Sequence, residues 1–287
     1  MMPSTPTNLE QGLVLSAREV VVRGGQGWQS YATLTCADVV GGDSSRFLDG
    51  LARLETQLAS LRAEQPALEQ LAQDVPARGK VVYRPDADAM RGGYATKGLN
   101  ISWDDELARK VVETGRGYEL EAQVMALYRV RTALPAGLLA RVGAILGGGS
   151  APQLEGLRAY FEATGLASQI MVDVLELRGL EAAPRGSWDV ARPARLTLPI
   201  VKALGMLAPS RRAWLWQSLK ERPIEELVVR RAVYEIEDIG ALAACTQLAR
   251  DLIEGTWQRL DPILDDSPAK STVRAFGRCV LDWHQPS

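Results

Sequence analysis

The chain has 287 residues, of which 46% are apolar and 24% charged, so its composition is that of a globular protein and not of a disordered one. Its 33 basic and 35 acidic residues give a net charge of −2, and no basic run is interleaved with aromatic residues, which argues against nucleic-acid binding. Three widely spaced cysteines and a single histidine, His284, argue against a zinc site, a disulfide framework or a histidine-based catalytic site, and they fit a reducing cytoplasm.

The first quarter of the chain is predicted to be mostly helical. Residues 1–8 are rich in Pro, Ser and Thr, lack the layout of a signal peptide, and are predicted to form a disordered tail. Capping residues such as Asn8 and Asp43 or Ser44 begin helices, while glycine pairs and Pro66 end them. The predicted helices cover residues 8–23, 28–40 and 43–64.

The remainder of the chain is predicted to be helices separated by two long loops, at residues 75–98 and 179–193. Ser102 caps a helix over 103–132, and Pro135 and Pro152 each suit the first turn of a further helix. An apolar face of Leu166, Ile170, Val174 and Leu177 marks the helix that follows Pro152. Later helices cover 194–206, 209–220, 224–237, 240–260 and a last segment from Ser267.

These patterns predict an all-α protein in which residues 9–287 form one helical domain. No alternation of apolar and polar residues with period two persists along the chain, so a sheet is not expected. No apolar run approaches the roughly 18 residues that a membrane span requires, so no span is expected.

Four C-terminal segments carry a specific pattern. They are Tyr128–Ala133 (YRVRTA), Gly165–Leu177 (GLASQIMVDVLEL), Arg195–Leu204 (RLTLPIVKAL) and residues 239–283 with their GAL and DSPAK motifs. In this order they resemble the trans-prenyl diphosphate synthases, or polyprenyl synthetases. The N-terminal half resembles the family more weakly, at residues 22–40 and 78–80.

The resemblance implies a bundle of helices around a deep central cavity, usually paired as a dimer. Enzymes of this family join an allylic diphosphate to isopentenyl diphosphate. Two aspartate-rich helices hold three magnesium ions, because only clustered cations stabilise the departing diphosphate.

The two aspartate-rich motifs are depleted in this chain. In the second motif Val172 replaces a carboxylate, while Asp173 and Glu176 remain, with Gln169 one turn earlier. Asp173 and Glu176 are candidates for one residual magnesium site; the alternative is a polar patch or a pairing with arginine, because two carboxylates are few for this ion. In the first motif Glu64 alone could bind metal, and Pro66 breaks the helix.

The diphosphate sites are depleted unequally. Where the family has a lysine and two arginines in GGKRLRP, this chain has Gln26, Gly27 and Gln29, which should weaken isopentenyl diphosphate binding by several kcal/mol. At the other site the candidate ligands survive. They are Arg78, Arg131 and Arg195, together with Gln169, although an arginine taken alone is more often a surface or ion-pair residue than a ligand. Acidic clusters at 86–88, 103–106 and 265–266 are interpreted as structural, the last as a helix cap.

Three functions are compatible with these residues. The first is a non-catalytic protein, either a partner or regulatory subunit of an active prenyl synthase or an isoprenoid binder, as a homodimer or heterodimer. The second is an active prenyltransferase or terpene-synthase-like enzyme acting on a prenyl diphosphate with a reduced metal site, Mg²⁺ being the only cofactor that the pattern suggests. The third is a helical bundle that reuses the fold for interaction.

Overall fold

A computed structural model describes residues 27–47, 82–83, 99–100, 106–182, 196–221 and 225–282. Several predictions fall outside these ranges: the tail 1–8, the helix 8–23, most of the helix 43–64, and His284. The candidate ligands Arg78 and Arg195 and the first aspartate-rich motif also lie outside them.

The described part of the chain is helical apart from one short strand pair, which confirms the predicted all-α class. The first helices are α1 (Gly27–Val39), α2 (Glu106–Thr114), α3 (Tyr118–Tyr128), α4 (Leu134–Leu146) and α5 (Ala151–Ala182). The later ones are α6 (Leu198–Met206), α7 (Pro209–Lys220), α8 (Glu226–Asp238), α9 (Ala241–Leu260) and α10 (Pro268–Asp282). Short 3₁₀ turns cover Ser44–Phe47 and Asp261–Ile263, and a π-helical turn covers Arg129–Ala133.

Several predicted helix ends are confirmed. Helix α1 ends before Gly41, whose φ of 90° lies in the left-handed region that glycine adopts without strain. Proline occupies the first turn of α4, as predicted from Pro135. At α10 the Ser267 Oγ accepts a hydrogen bond from the Lys270 backbone N–H at 3.1 Å, which is an N-terminal cap.

Residues 103–132 were predicted to form one helix, and that prediction is wrong. Helix α2 ends at Thr114 and α3 begins at Tyr118, because Gly115 adopts a φ of 74° that an α-helix cannot contain. A Cβ atom at Gly115 would lie 2.5 Å from the Arg212 Nη2, so the glycine also makes room for a buried guanidinium. The helix that follows then widens into the π-helical turn after Tyr128.

Three smaller predictions are also corrected. The helix placed at 194–206 begins only at Leu198, because Thr197 is extended (φ −95°, ψ 161°) and proline occupies the first turn of α6. The acidic pair 265–266 does not cap α10; Ser267 does, while Asp266 pairs with Lys270 at 3.0 Å. Strands β1 (Val82–Tyr83) and β2 (Leu99–Asn100) pair antiparallel, and two residues are too few to show an alternating pattern.

The chain divides into two compact units. Among the described residues, the first unit comprises 27–47, 132–168 and 249–282. Its core is an aromatic cluster in which Phe161 contacts Tyr160 and Phe276 edge-on, with ring centroids 5.7 and 5.5 Å apart. Helix α1 packs on α4 and α10, and a Cβ atom at Gly143 would overlap the Thr33 carbonyl, so small residues allow this close approach.

The second unit comprises the described residues 82–83, 99–100, 106–131, 169–182, 196–221 and 225–248. Helix α6 is its centre and packs against α2, α3, α7 and α8. Of the four predicted apolar positions of α5, Ile170, Val174 and Leu177 are buried and Leu166 is half-buried.

Helices long and apolar enough to cross a bilayer do not occur in the described ranges. The assignment of residues 9–287 to a single domain stays a prediction.

Candidate functional site

The surviving carboxylates of the second aspartate-rich motif point to different environments. Asp173 is fully buried, whereas Glu176, three residues later on α5, is exposed. Val172 is half-buried and lies four residues before Glu176, so these two side chains are neighbours on the surface of α5. The valine therefore removes the carboxylate that would stand beside Glu176.

Asp173 is held by hydrogen bonds from both sides. Its Oδ1 accepts a hydrogen bond from the Gln169 Nε2 at 3.1 Å, one turn earlier on α5. Its Oδ2 accepts a short hydrogen bond from the hydroxyl of Tyr128, the last residue of α3, which is 2% exposed. The same Tyr128 oxygen accepts the Leu198 backbone N–H at 2.9 Å. Asp173 thus joins α3, α5 and the first residue of α6.

This arrangement satisfies the electrostatic demand of a buried carboxylate. Removing an ionised carboxylate from water is strongly unfavourable unless the charge receives hydrogen bonds or a cation. A tyrosine hydroxyl and an amide N–H supply hydrogen bonds here. Asp173 therefore has protein partners where the resemblance implies a metal ion.

The described residues do not fit the magnesium cluster that the resemblance implies. Magnesium demands near-octahedral oxygen coordination and is usually held by carboxylates with open oxygens. Both Asp173 oxygens accept hydrogen bonds from protein donors. The residue one turn before Glu176 is Val172, whose side chain offers no oxygen to a metal ion. Within the described ranges no group of three or more His, Cys, Asp or Glu side chains is arranged to hold a metal ion. One residual magnesium ion at Asp173 and Glu176 stays a prediction, and the geometry favours the alternative polar patch.

A second polar pair in the same unit was missed by the sequence analysis. The Lys202 Nζ of α6 donates a hydrogen bond to the Glu121 Oε2 of α3 at 2.8 Å. Lys202 and Glu121 lie 81 positions apart in the sequence, and no local pattern signals such a contact.

The Cys245 thiol feels these charged groups. Burial raises its pKa to about 12; Lys202 lowers the pKa in part, while Asp173 and Glu121 raise it further.

Arginine and threonine side chains are further polar groups among the described residues of the second unit. Arg131 is half-buried in the π-helical turn that follows α3, and Arg129 in the same turn is exposed. Single-turn π segments occur often at functional sites, because the extra residue redirects neighbouring side chains. Thr197 is 3% exposed, and within the described part of the chain its hydroxyl has no hydrogen-bond partner.

The comparison with curated proteins finds similarity to a prenyl diphosphate synthase. It is 30% identical over 165 residues to the short chain isoprenyl diphosphate synthase of Methanothermobacter thermautotrophicus. This match covers 56% of the chain and 49% of the relative, so the chain spans about half the length of the curated relative that it matches. No family model matches the chain.

Solved structures show the same fold over nearly the whole chain. The polyprenyl synthase of Caulobacter crescentus superposes with a TM-score of 0.61 at 20% identity, covering 97% of this chain and 90% of that one. The geranylgeranyl pyrophosphate synthetase of Pyrococcus horikoshii gives a TM-score of 0.62 at 19% identity, covering 98% and 92%. The predicted resemblance to the trans-prenyl diphosphate synthases is confirmed, and the fold is that of the isoprenoid synthases.

Proposed function

We propose that this chain, which has the fold of the polyprenyl synthases, is a non-catalytic relative of them that binds a prenyl diphosphate or another isoprenoid. The observation that carries the proposal is the state of the second aspartate-rich motif. At the position of its first carboxylate the chain has Val172. The second carboxylate, Asp173, is buried and hydrogen-bonded to Tyr128 and Gln169. Glu176 is the motif's exposed carboxylate.

Prenyl transfer depends on stabilising the diphosphate as its bond to carbon breaks. The leaving group carries several negative charges, so clustered divalent cations contribute most of that stabilisation. An arginine or lysine can bind a diphosphate but supplies only one positive charge. A site with cationic side chains and few metal ligands therefore favours binding over ionisation of the substrate.

A cationic side chain of the second unit supports the binding of a diphosphate. Arg131 lies half-buried in the π-helical turn that follows α3. The polyprenyl synthase of Caulobacter crescentus, which shares this fold, is described in complex with calcium and isoprenyl diphosphate. We propose the same ligand class for this chain, with Arg131 as a phosphate ligand and with the predicted ligands Arg78, Arg195 and Gln169.

Association with a second subunit is part of the proposal. Helix α4 exposes an apolar stripe, defined here as Leu138, Val142, Ile145 and Leu146, of which Leu138 and Ile145 are 52% and 55% exposed. Exposed apolar stripes on a helix are typical of protein interfaces. We propose that this stripe pairs the chain with a second copy or with an active prenyl synthase.

The proposed location is a reducing compartment, the cytoplasm. Cys36, Cys245 and Cys279 are all buried, and none of them is part of a disulfide. Buried cysteines that form no disulfide are typical of proteins that remain in such a compartment.

A weaker candidate function is an enzyme with a reduced metal site. Glu176 is exposed on α5 at the position of the motif's last carboxylate, which is the observation that favours it. One carboxylate can bind magnesium only together with water and the substrate's own phosphate oxygens.

Product analysis separates the two functions. Purified protein is incubated with Mg²⁺, isopentenyl diphosphate and either geranyl or farnesyl diphosphate, and products are sought by mass spectrometry. We expect no elongated or cyclised product. A product whose formation stops in Glu176→Gln would establish the enzyme and contradict the non-catalytic proposal.

Ligand binding is tested through the two arginines of the π-helical turn. Farnesyl diphosphate in EDTA should raise the unfolding temperature of the wild type. Arg131→Gln should reduce this shift by at least half, while Arg129→Gln, an exposed arginine of the same turn, should leave it unchanged. Equal shifts in both variants and the wild type would remove Arg131 from the site.

A further inference from the structure

We infer that Tyr128 and Asp173 form a metal-independent junction that fixes α3, α5 and the start of α6, in which the Tyr128 hydroxyl donates its proton to the Asp173 carboxylate and accepts the Leu198 backbone N–H. The inference deepens the proposed function and rests on it in one respect, namely that the second motif no longer gathers magnesium. It goes further in assigning the surviving aspartate a new role.

The direction of the hydrogen bonds follows from the donors present. The Leu198 backbone N–H can only donate, so the Tyr128 oxygen accepts this bond at 2.9 Å. The phenolic proton is then available for the Asp173 Oδ2. A carboxylate is the stronger acceptor when it is ionised, so this chain of bonds stabilises a charged Asp173 without a metal ion.

The Tyr128 hydroxyl, which belongs to α3, also caps the N-terminus of α6. Leu198 is the first residue of α6, where the backbone N–H groups have no partner within the helix. Thr197, at the capping position, makes no capping hydrogen bond with its side chain. The Tyr128 hydroxyl accepts one of these N–H groups instead, and the N-terminal end of the helix dipole favours the negative charge of Asp173 nearby.

Burial makes the junction sensitive to substitution. Tyr128 is 2% exposed and Asp173 is 0% exposed, so water cannot replace a bond that is lost. Tyr128→Phe would deprive both the carboxylate and the Leu198 N–H of a partner in one step. Removing either residue should therefore disturb the same three helices.

The test measures thermal unfolding of the full chain in EDTA and in Mg²⁺. Tyr128→Phe and Asp173→Asn are compared with two matched controls. Tyr118→Phe removes a hydroxyl from the exposed end of the same helix, where it bonds Glu119 at 2.9 Å, and Glu176→Gln neutralises the exposed carboxylate of α5.

We expect the unfolding temperature to fall by several degrees in Tyr128→Phe and in Asp173→Asn and to change little in the controls. The double variant Tyr128→Phe/Asp173→Asn should lose less than the sum of the two single variants, because Tyr128→Phe removes the bond to the carboxylate and Asp173→Asn weakens that same bond by removing the charge and one of the two acceptor oxygens. The wild type should unfold at the same temperature in Mg²⁺ and in EDTA.

Two results would overturn the junction. One is additive loss in the double variant. The other is stabilisation of the wild type by Mg²⁺ that Asp173→Asn abolishes, because Asp173 would then be a metal ligand. If Tyr128→Phe fails to fold, the Mg²⁺ comparison of the wild type with Asp173→Asn still decides.

Failure of the junction and failure of the proposed function are distinguishable. Stabilisation by Mg²⁺ through Asp173 without any product overturns the junction alone. Product formation that survives Asp173→Asn overturns the non-catalytic proposal alone.

Discussion

Lys202 of α6 and Glu121 of α3 form an ion pair in which the Nζ lies 2.8 Å from the Oε2, and their side chains are only 20% and 31% exposed. The pair links the same two helices as the hydrogen bond from the Leu198 N–H to Tyr128. Breaking an exposed ion pair lowers the free energy of unfolding by about 0–1 kcal/mol, and breaking a buried pair lowers it by about 3–5 kcal/mol. The effect of breaking a half-buried pair should lie between these values.

Lys202→Met should lower the free energy of unfolding by about 1–2 kcal/mol, because it leaves Glu121 partly desolvated without its cation. Urea unfolding followed by circular dichroism measures this change. Lys110→Met is the control: Lys110 is 58% exposed and lies 3.9 Å from Glu119, so its loss should have no measurable effect. Equal effects of the two substitutions would show that the Lys202 pair contributes nothing through burial.

The Cys245 thiol should be unreactive in the folded protein at pH 8. Burial raises its pKa from 9.0 to about 12, so almost none of the reactive thiolate is present. The stability that the neutral thiol contributes is complete below pH 9 and is lost as pH rises toward 12. Iodoacetamide labelling read by peptide mass spectrometry should modify Cys245 in urea but not in buffer, and rapid native labelling would contradict the burial.

Much of the fold could be predicted from sequence because helix ends depend on local chemistry. Gly41, Pro135 and Ser267 each mark a boundary that the structure confirms. The break at Gly115 was missed, because its φ of 74° accompanies a contact with Arg212, which is almost a hundred residues away. An isolated glycine within a helical pattern does not by itself predict such a break.

Of the candidate site, the sequence alone predicts which carboxylates are missing, but not the contacts of those that remain. Val172 in place of a carboxylate can be read directly from the motif. The bond between Tyr128 and Asp173 spans 45 positions and joins different helices, so it depends on how the helices pack and not on residue spacing. Periodicity predicts which face of α5 is buried, but it cannot predict which donor meets the aspartate.

Gly115→Ala should destabilise the second unit more than Gly240→Ala does. Both glycines have positive φ, 74° and 82°, so alanine is strained by about 1 kcal/mol at either position. At Gly115 the new methyl group also meets the Arg212 guanidinium, whereas at Gly240 nothing lies within 4 Å. Urea unfolding measures the free energy of unfolding that each variant loses, and the excess loss in Gly115→Ala is the effect of that contact. Equal losses in the two variants would show that Arg212 moves aside freely.

Leu138→Glu in α4 should weaken self-association. A charge in the apolar stripe would be buried unpaired in an interface between two copies, which is unfavourable by several kcal/mol. Analytical ultracentrifugation should show a dimer for the wild type and a monomer for this variant. Leu227→Glu, at the 81%-exposed leucine of α8, is the control and should remain dimeric. A wild type that is monomeric alone but pairs with an active prenyl synthase would select the heterodimer.

The most direct measurement of the central claim is the number of metal ions held with the ligand. The protein is loaded with Mn²⁺ and a non-hydrolysable farnesyl diphosphate analogue and desalted, and the retained Mn²⁺ is counted by electron paramagnetic resonance after acid release. Because Val172 and the bonded Asp173 leave too few carboxylates, we predict that no stoichiometric Mn²⁺ remains with the chain. Two or three Mn²⁺ ions per chain, lost in Glu176→Gln, would contradict this account and indicate an intact metal-dependent synthase.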